Sequence, residues 1–145
     1  MTKKELALDY FTQSGCNCAQ SLLLAFCEDY GVDKNVAAKI AASFGGGIGR
    51  QGETCGALTG ALMALGLKSQ KDFLNFKDAK AEMILITQEF INKFRIAFGA
   101  VKCRDLLGCD VGSEAGQLYI KKHNLNLLVC QKVVSETAKM LELIK

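Results

Sequence analysis

The stretch from Phe44 to Gly66 reads FGGGIGRQGETCGALTGALMALG and predicts a glycine-rich loop that leads into a buried helix. Glycine adopts positive φ without steric cost and lets a backbone approach a ligand closely. A thiol at a helix N-terminus is shifted towards thiolate by the helix dipole and by unpaired N–H groups. We therefore predict that Cys55 opens the central helix and is the most acidic thiol of the chain. Its sulfur, or whatever the sulfur binds, is expected to face the N–H groups of Gly45, Gly46, Gly47, Gly49 and Gly56.

The composition is that of one globular domain spanning residues 1–145. Half of the residues are hydrophobic, which excludes disorder, and the net charge of +3 is too small to indicate nucleic-acid binding. The longest apolar run, near Leu58 to Leu67, is too short to span a bilayer. The first residues lack the apolar core of a signal peptide. We therefore expect a cytoplasmic protein that inserts into no membrane, and the high apolar content is compatible with a homodimer.

Apolar residues recur at intervals of three and four, and no alternating strand pattern occurs, so the predicted fold class is all-α. Capping residues and glycine stops divide the chain into a compact multi-helix bundle. In the third helix, Val36, Ile40 and Phe44 form the predicted apolar face. The predicted helices begin after Thr2, Asn17, Asp33, Thr54 and Ser113, and span Lys71 to Phe98, Cys103 to Leu107 and about Cys130 to Leu143.

Seven cysteines are too few for a disulfide scaffold, and in a reducing compartment cysteines more often bind metals or take part in catalysis. Cys27 lies on an apolar helix face and is expected to be a buried, inert thiol. Cys16 and Cys109 have two interpretations: each is either a spare ligand or resolving thiol, or an ordinary loop residue. The other four fall at predicted helix starts, where a thiol pKa is lowered, and are expected to converge: Cys18, Cys55, Cys103 and Cys130.

The cysteine spacing matches no compact metal motif, because the chain contains no C-x-x-C and the four helix-start cysteines are 37, 48 and 27 residues apart. A metal site formed by these cysteines therefore requires the tertiary fold to bring them together. The glycine loop also lacks the G-K-[ST] ending of a phosphate-binding loop. Arg50 and Glu53 border that loop, either as a surface ion pair or as charges that tune the Cys55 site.

Several of these segments resemble the C_GCAxxG_C_C family of bacterial and archaeal redox-active proteins. The segment Cys55-Gly56-Ala57-Leu58-Thr59-Gly60 is similar to its central signature, with the first two letters exchanged, and stretches 17–20, 44–50, 52–57 and 103–108 extend the resemblance over essentially the whole chain. Carried over by position, the resemblance implies that the four family cysteines are Cys18, Cys55, Cys103 and Cys130. A similar domain forms part of the split-Soret cytochrome, where an iron–sulfur cluster has been described, so the resemblance implies a cluster here. The chain has no C-x-x-C-H motif, and no haem function is implied.

Three functions are open at this point, and the first two imply a redox partner protein. In the first, the four thiolates bind a [2Fe–2S] or [4Fe–4S] cluster for electron transfer or redox sensing, and the glycine loop donates N–H···S hydrogen bonds. In the second, a metal-free thiol–disulfide protein uses Cys55 as the nucleophile and Cys18 or Cys103 as the resolving thiol. In the third, the four thiolates hold a structural zinc ion.

Overall fold

A computed structural model describes residues 1–69 and 76–144 of the chain. Within these ranges the polypeptide forms eight α-helices and no β-strand, which confirms the all-α prediction. Two 3-10 turns, Glu28–Tyr30 and Ala42–Phe44, and one π-helical turn, Asn126–Cys130, connect them. The predicted start of the fifth helix at Lys71 lies outside the described residues. The helices are α1 (Lys3–Thr12), α2 (Cys18–Cys27), α3 (Lys34–Ile40), α4 (Gly56–Lys68), α5 (Phe76–Phe98), α6 (Cys103–Leu107), α7 (Glu114–Lys122) and α8 (Gln131–Glu142).

Side-chain caps fix four helix starts as the sequence predicts. The N–H of Gln20 donates to the Asn17 side chain at 2.8 Å, and the N–H of Asn17 donates to the Gln20 side chain at 3.0 Å. This capping box makes Cys18 the first residue of α2. The Asn17 amide also donates to the carbonyls of Ala41 and Ala42, which ties the start of α2 to the segment before the glycine loop. The other three caps are Thr2, Asp33 and Ser113.

Two predicted helix starts are wrong, and both involve a candidate cysteine. The residue that precedes α4 is Cys55, not Thr54, and no side chain caps this helix. Thr54 lies instead in a single antiparallel bridge with Lys102. Cys130 begins no helix, because the chain reverses at Asn124 (φ 54°) and the π-helical turn then runs through Cys130 into α8 without a break.

Among the described helices, α2 and α4 have the most extensive contact, and glycine permits their close approach. A Cβ on Gly60 would collide with the carbonyl oxygen of Ala19 and lie 2.8 Å from the Ala19 Cα. One turn earlier, a Cβ on Gly56 would lie 3.0 Å from the Cβ of Cys18. Two glycines four residues apart therefore bring the N-termini of α2 and α4 together, and with them Cys18 and Cys55.

Helices α1, α3, α5 and α8 pack around this pair. Helix α1 packs against α2 and α8, and α5 packs against α4, with Phe90 and Phe94 of α5 buried in the core. The predicted apolar face of α3 is wrong, because Val36 and Ile40 are exposed. Only alanine side chains of this segment are buried, so a short helix close to α2 leaves room inside for small residues alone. Among the described helices, none combines the length and the apolar character that crossing a bilayer requires.

Candidate functional site

A cavity of about 670 Å³ lies where the starts of α2, α4 and α6 meet the π-helical turn. The four cysteines that were predicted to converge come from four separate segments and share this cavity. Among the described residues, its wall contains no Asp, Glu, His or Lys side chain, so thiols are its strong metal-ligating groups. Five of the seven cysteines line it: Cys16, Cys18, Cys55, Cys103 and Cys130.

Two short antiparallel backbone segments hold Cys55 and Cys103 side by side. The N–H of Cys55 donates to the Val101 carbonyl at 2.8 Å, and the N–H of Cys103 donates to the Glu53 carbonyl at 2.7 Å. These bonds fix the start of α4 relative to the start of α6. Both cysteines are nearly inaccessible to water, with exposed fractions of 7% and 8%.

Cys18 and Cys130 act on each other as neighbouring thiols. Hydrogen bonding between their side chains raises the pKa of Cys18 and lowers the pKa of Cys130. Cys130 is the last residue of the π-helical turn, a type of helix distortion that is frequent at functional sites. The pair therefore joins the start of α2 to the segment that enters α8.

The prediction that Cys55 is the most acidic thiol is wrong. Burial raises the pKa of Cys55 to about 11, although the backbone N–H groups of Ala57 and Leu58 oppose the shift. Burial also raises the pKa of Cys103 to about 12, and the charges of neighbouring thiolates add to this effect. The cavity thiol with a lowered pKa is Cys130. Desolvation outweighs the helix N-terminus at Cys55 because its sulfur is almost completely shielded from water.

The glycine loop forms a left-handed turn beside the thiols. Five consecutive residues, 46 to 50, have φ between 58° and 70°, a conformation that costs roughly 1–2 kcal/mol for each non-glycine residue. Gly47 is buried against Cys103, since a Cβ there would lie 2.7 Å from the Cys103 Cβ. The N–H of Gly49 donates to the Ser43 carbonyl and is not directed at a sulfur. The predicted loop glycines that line the cavity are Gly45, Gly46 and Gly49, together with Gly56 of α4.

The three other cysteines differ in position. Cys27 is fully buried away from the cavity, and its S–H donates to the Leu24 carbonyl, as expected for an inert thiol. Cys16 lines the cavity, and its place in the sequence Cys16-Asn17-Cys18 was the signal for this. Cys109 lies outside the cavity wall but packs against the small apolar cluster that contains Cys103.

The two charges that border the glycine loop do not pair with each other. The Glu53 carboxylate pairs with the guanidinium of Arg104 at 3.6 Å. Arg50 instead lines the thiol cavity. Of the two interpretations of Arg50 and Glu53, the surface ion pair is therefore wrong, and Arg50 is a wall residue of the cavity that the thiols share.

The thiols fit a soft metal centre in chemistry, but they are not assembled around one point. In the described part of the chain, no group of three or more Cys, His, Asp or Glu side chains is spaced to hold a metal ion as it stands. Thiolates are the usual ligands of iron–sulfur clusters and of structural zinc. Gly47 and Gly56 clear the space beside the Cβ atoms of Cys103 and Cys18. Metal binding here requires the four side chains to draw together.

Comparison with known proteins places the chain in a family. A family model with the description "Putative redox-active protein (C_GCAxxG_C_C)" matches residues 16–144. The chain belongs to this family. The match covers every cysteine of the cavity, and the family description supports redox activity as the function class of this C_GCAxxG_C_C protein. No curated protein and no solved structure matches the chain.

Proposed function

We propose that this C_GCAxxG_C_C protein binds an iron–sulfur cluster and uses it for electron transfer or redox sensing. The ligands are Cys18, Cys55, Cys103 and Cys130. The observation that supports this function is the shared cavity, in which thiols from four chain segments meet with no competing ligand among the described wall residues. Cysteines that serve only to fill a core are dispersed among apolar side chains, as Cys27 is.

The electrostatics of the cavity couple metal binding to the release of protons. The pKa of Cys18 is raised by its hydrogen bond to Cys130, and burial raises the pKa of Cys55 and of Cys103. Without a cation, most of these thiols therefore stay protonated near neutral pH. Metal binding requires thiolates and releases their protons, so the affinity for metal should increase with pH.

The residues around the thiols hold and insulate the site. When bound, an iron–sulfur centre supplies reversible one-electron transfer, and either cluster type takes four thiolates. Leu107 and Val133 line the cavity and exclude water from part of it. The backbone N–H groups of Ala57 and Leu58 lower the pKa of Cys55, and hydrogen bonds to ligand sulfur tune a reduction potential.

The opposite pKa shifts that Cys18 and Cys130 cause in each other favour a second candidate function, metal-free thiol–disulfide exchange. The Cys130 thiolate attacks a partner disulfide, forms a mixed disulfide and releases one partner thiol. Cys18, after losing its proton, attacks the Cys130 sulfur, forms the Cys18–Cys130 disulfide and releases the second partner thiol. Two electrons and two protons pass from the pair to the partner. In this function the nucleophile is Cys130, in place of the Cys55 that the sequence analysis favoured.

Metal analysis of protein purified without oxygen distinguishes the candidates. Iron and sulfide together with brown colour support the iron–sulfur cluster. Zinc alone supports a structural zinc site. Colourless, metal-free protein that forms a Cys18–Cys130 disulfide on mild oxidation supports thiol–disulfide exchange.

Matched cysteine variants connect the metal to the site. Iron and sulfide should be lost in Cys18→Ser and Cys103→Ser, because each removes one of four ligands. They should be retained in Cys27→Ala and Cys109→Ser, since neither thiol lines the cavity. Retention of the cluster in both ligand variants would contradict the proposal.

A further inference from the structure

A single charged side chain, that of Arg50, lines the thiol cavity among the described residues. The rest of the wall consists of thiols, glycines, apolar side chains and uncharged polar groups such as Gln117. In residues 1–69 and 76–144 the Arg50 guanidinium has no ion-pair or hydrogen-bond partner, whereas the nearby Arg104 is paired with Glu53. A guanidinium at a cavity without a counter-ion attracts an anion.

The backbone holds Arg50 at this position in spite of strain. Its φ is 60°, which is unfavourable for a residue with a side chain. A Cβ on Gly46 would lie 2.7 Å from the Arg50 Cγ, and a Cβ on Gly112 would lie 2.6 Å from the Arg50 carbonyl oxygen. Because Gly46 and Gly112 have no side chains, they leave room for Arg50. Strained backbone of this kind persists where the surrounding structure enforces it, and it clusters at ligand sites.

We propose that the cavity binds a small organic anion whose single carboxylate contacts Arg50 and whose apolar body lies beside the thiols. One guanidinium matches one carboxylate through two parallel hydrogen bonds. A phosphate monoester carries more charge and calls for further cations, which the described wall does not provide. Leu106, Val111 and Ile120 supply apolar surface for the body of the ligand.

The size of the cavity agrees with this ligand class. Its volume, about 670 Å³, lies within the range of small-molecule sites, roughly 300–1,000 Å³. Sulfur ligands lie only about 2.3 Å from a bound zinc ion, so a thiolate-bound metal fills a small part of such a space. The inference goes beyond the proposed metal centre, and it holds for metal-free protein as well.

A pair of alkylating reagents that differ in charge tests the site. Iodoacetate carries a carboxylate, iodoacetamide is its neutral analogue, and both attack the same thiolate, so the ratio of their rates at one cysteine is independent of thiol pKa. The rates are measured at half-buried Cys16 in metal-free, reduced protein by mass spectrometry. We expect Arg50→Gln to lower the iodoacetate-to-iodoacetamide ratio about fivefold, the effect of a partly exposed ion pair. Arg50→Lys should retain most of the ratio.

Arg104→Gln is the matched control. The substitution also removes one arginine charge, at the residue that follows Cys103 in the sequence, but Arg104 lies outside the cavity wall. It should leave the ratio at Cys16 unchanged. An equal fall in both glutamine variants, or no fall in Arg50→Gln, would overturn the proposal. In the unaltered protein, benzoate should protect Cys16 from N-ethylmaleimide in a saturable manner, and its neutral analogue benzamide should not. Absence of that protection would also overturn it, and neither result depends on whether the protein binds iron.

Discussion

Replacing Gly60 by alanine should force α2 and α4 apart at their crossing point. The new Cβ would collide with the Ala19 carbonyl oxygen and lie 2.8 Å from the Ala19 Cα and 3.0 Å from its carbonyl carbon. Carbon atoms in favourable contact are about 3.5–4.0 Å apart, so the shortfall at the Cα is at least about 0.7 Å. All three are backbone atoms, which cannot rotate away as a flexible side chain does.

Two effects of the Gly60 substitution oppose each other. Alanine is a better helix former than glycine by about 1 kcal/mol, whereas overpacking a core costs about 1–3 kcal/mol. Because the clash is with backbone, we expect overpacking to dominate and the free energy of unfolding to fall by up to about 2 kcal/mol. The thiol site should also be disturbed, since Ala19 follows Cys18 and Cys55 directly precedes α4.

Urea unfolding followed by circular dichroism at 222 nm measures the effect. Gly66→Ala is the matched control, because Gly66 is in the same helix and no atom lies within 4 Å of its Cβ position. That variant should be stabilised by up to about 1 kcal/mol, the gain in helix propensity alone. If Gly60→Ala were as stable as Gly66→Ala, the close packing of α2 on α4 would be contradicted.

Three further perturbations follow from the described contacts. The buried hydroxyl of Thr137 has no hydrogen-bond partner among the described residues, so Thr137→Val should raise the free energy of unfolding by about 1 kcal/mol. Thermal unfolding should show no such gain for Thr59→Val, which loses a hydrogen bond to a backbone carbonyl. Asn17→Ala should cost about 1–2 kcal/mol in urea unfolding through the lost cap, and Asn17→Asp, which keeps the cap, should cost less. Metal-free, reduced protein should become less stable as the pH rises from about 8.5 towards 11. In the unfolded chain the thiols ionise near pH 8.5, whereas in the folded protein the pKa values of Cys55 and Cys103 are about 11 and 12. The native state then holds more protons than the unfolded state, so stability falls with pH; an equally steep fall in Cys55→Ala would contradict this assignment.

Local sequence signals predicted the helices well. The capping box at Asn17 and Gln20 is a contact between residues three positions apart, so the sequence alone contains it. The spacing of Gly56 and Gly60 is also a local signal, since it permits a close helix contact, and the structure identifies the partner as α2.

Features that depend on tertiary burial were not predictable in the same way. The acidity of Cys55 was overestimated because the helix N-terminus is visible in the sequence, whereas the desolvation of the sulfur is not. The exposure of Val36 and Ile40 depends on how closely α3 approaches α2. The hydrogen bond between Cys18 and Cys130 joins residues 112 positions apart in the chain, and no local pattern indicates it.

Alkylation of each cysteine before and after reconstitution with iron and sulfide examines whether the four thiols form one site. If Cys18, Cys55, Cys103 and Cys130 bind a single centre, all four should become protected in parallel as iron is bound. Cys109 is half-buried and lies outside the cavity wall, so its reaction rate should not change. Protection of fewer than four of these thiols, or equal protection of Cys109, would contradict a four-cysteine centre.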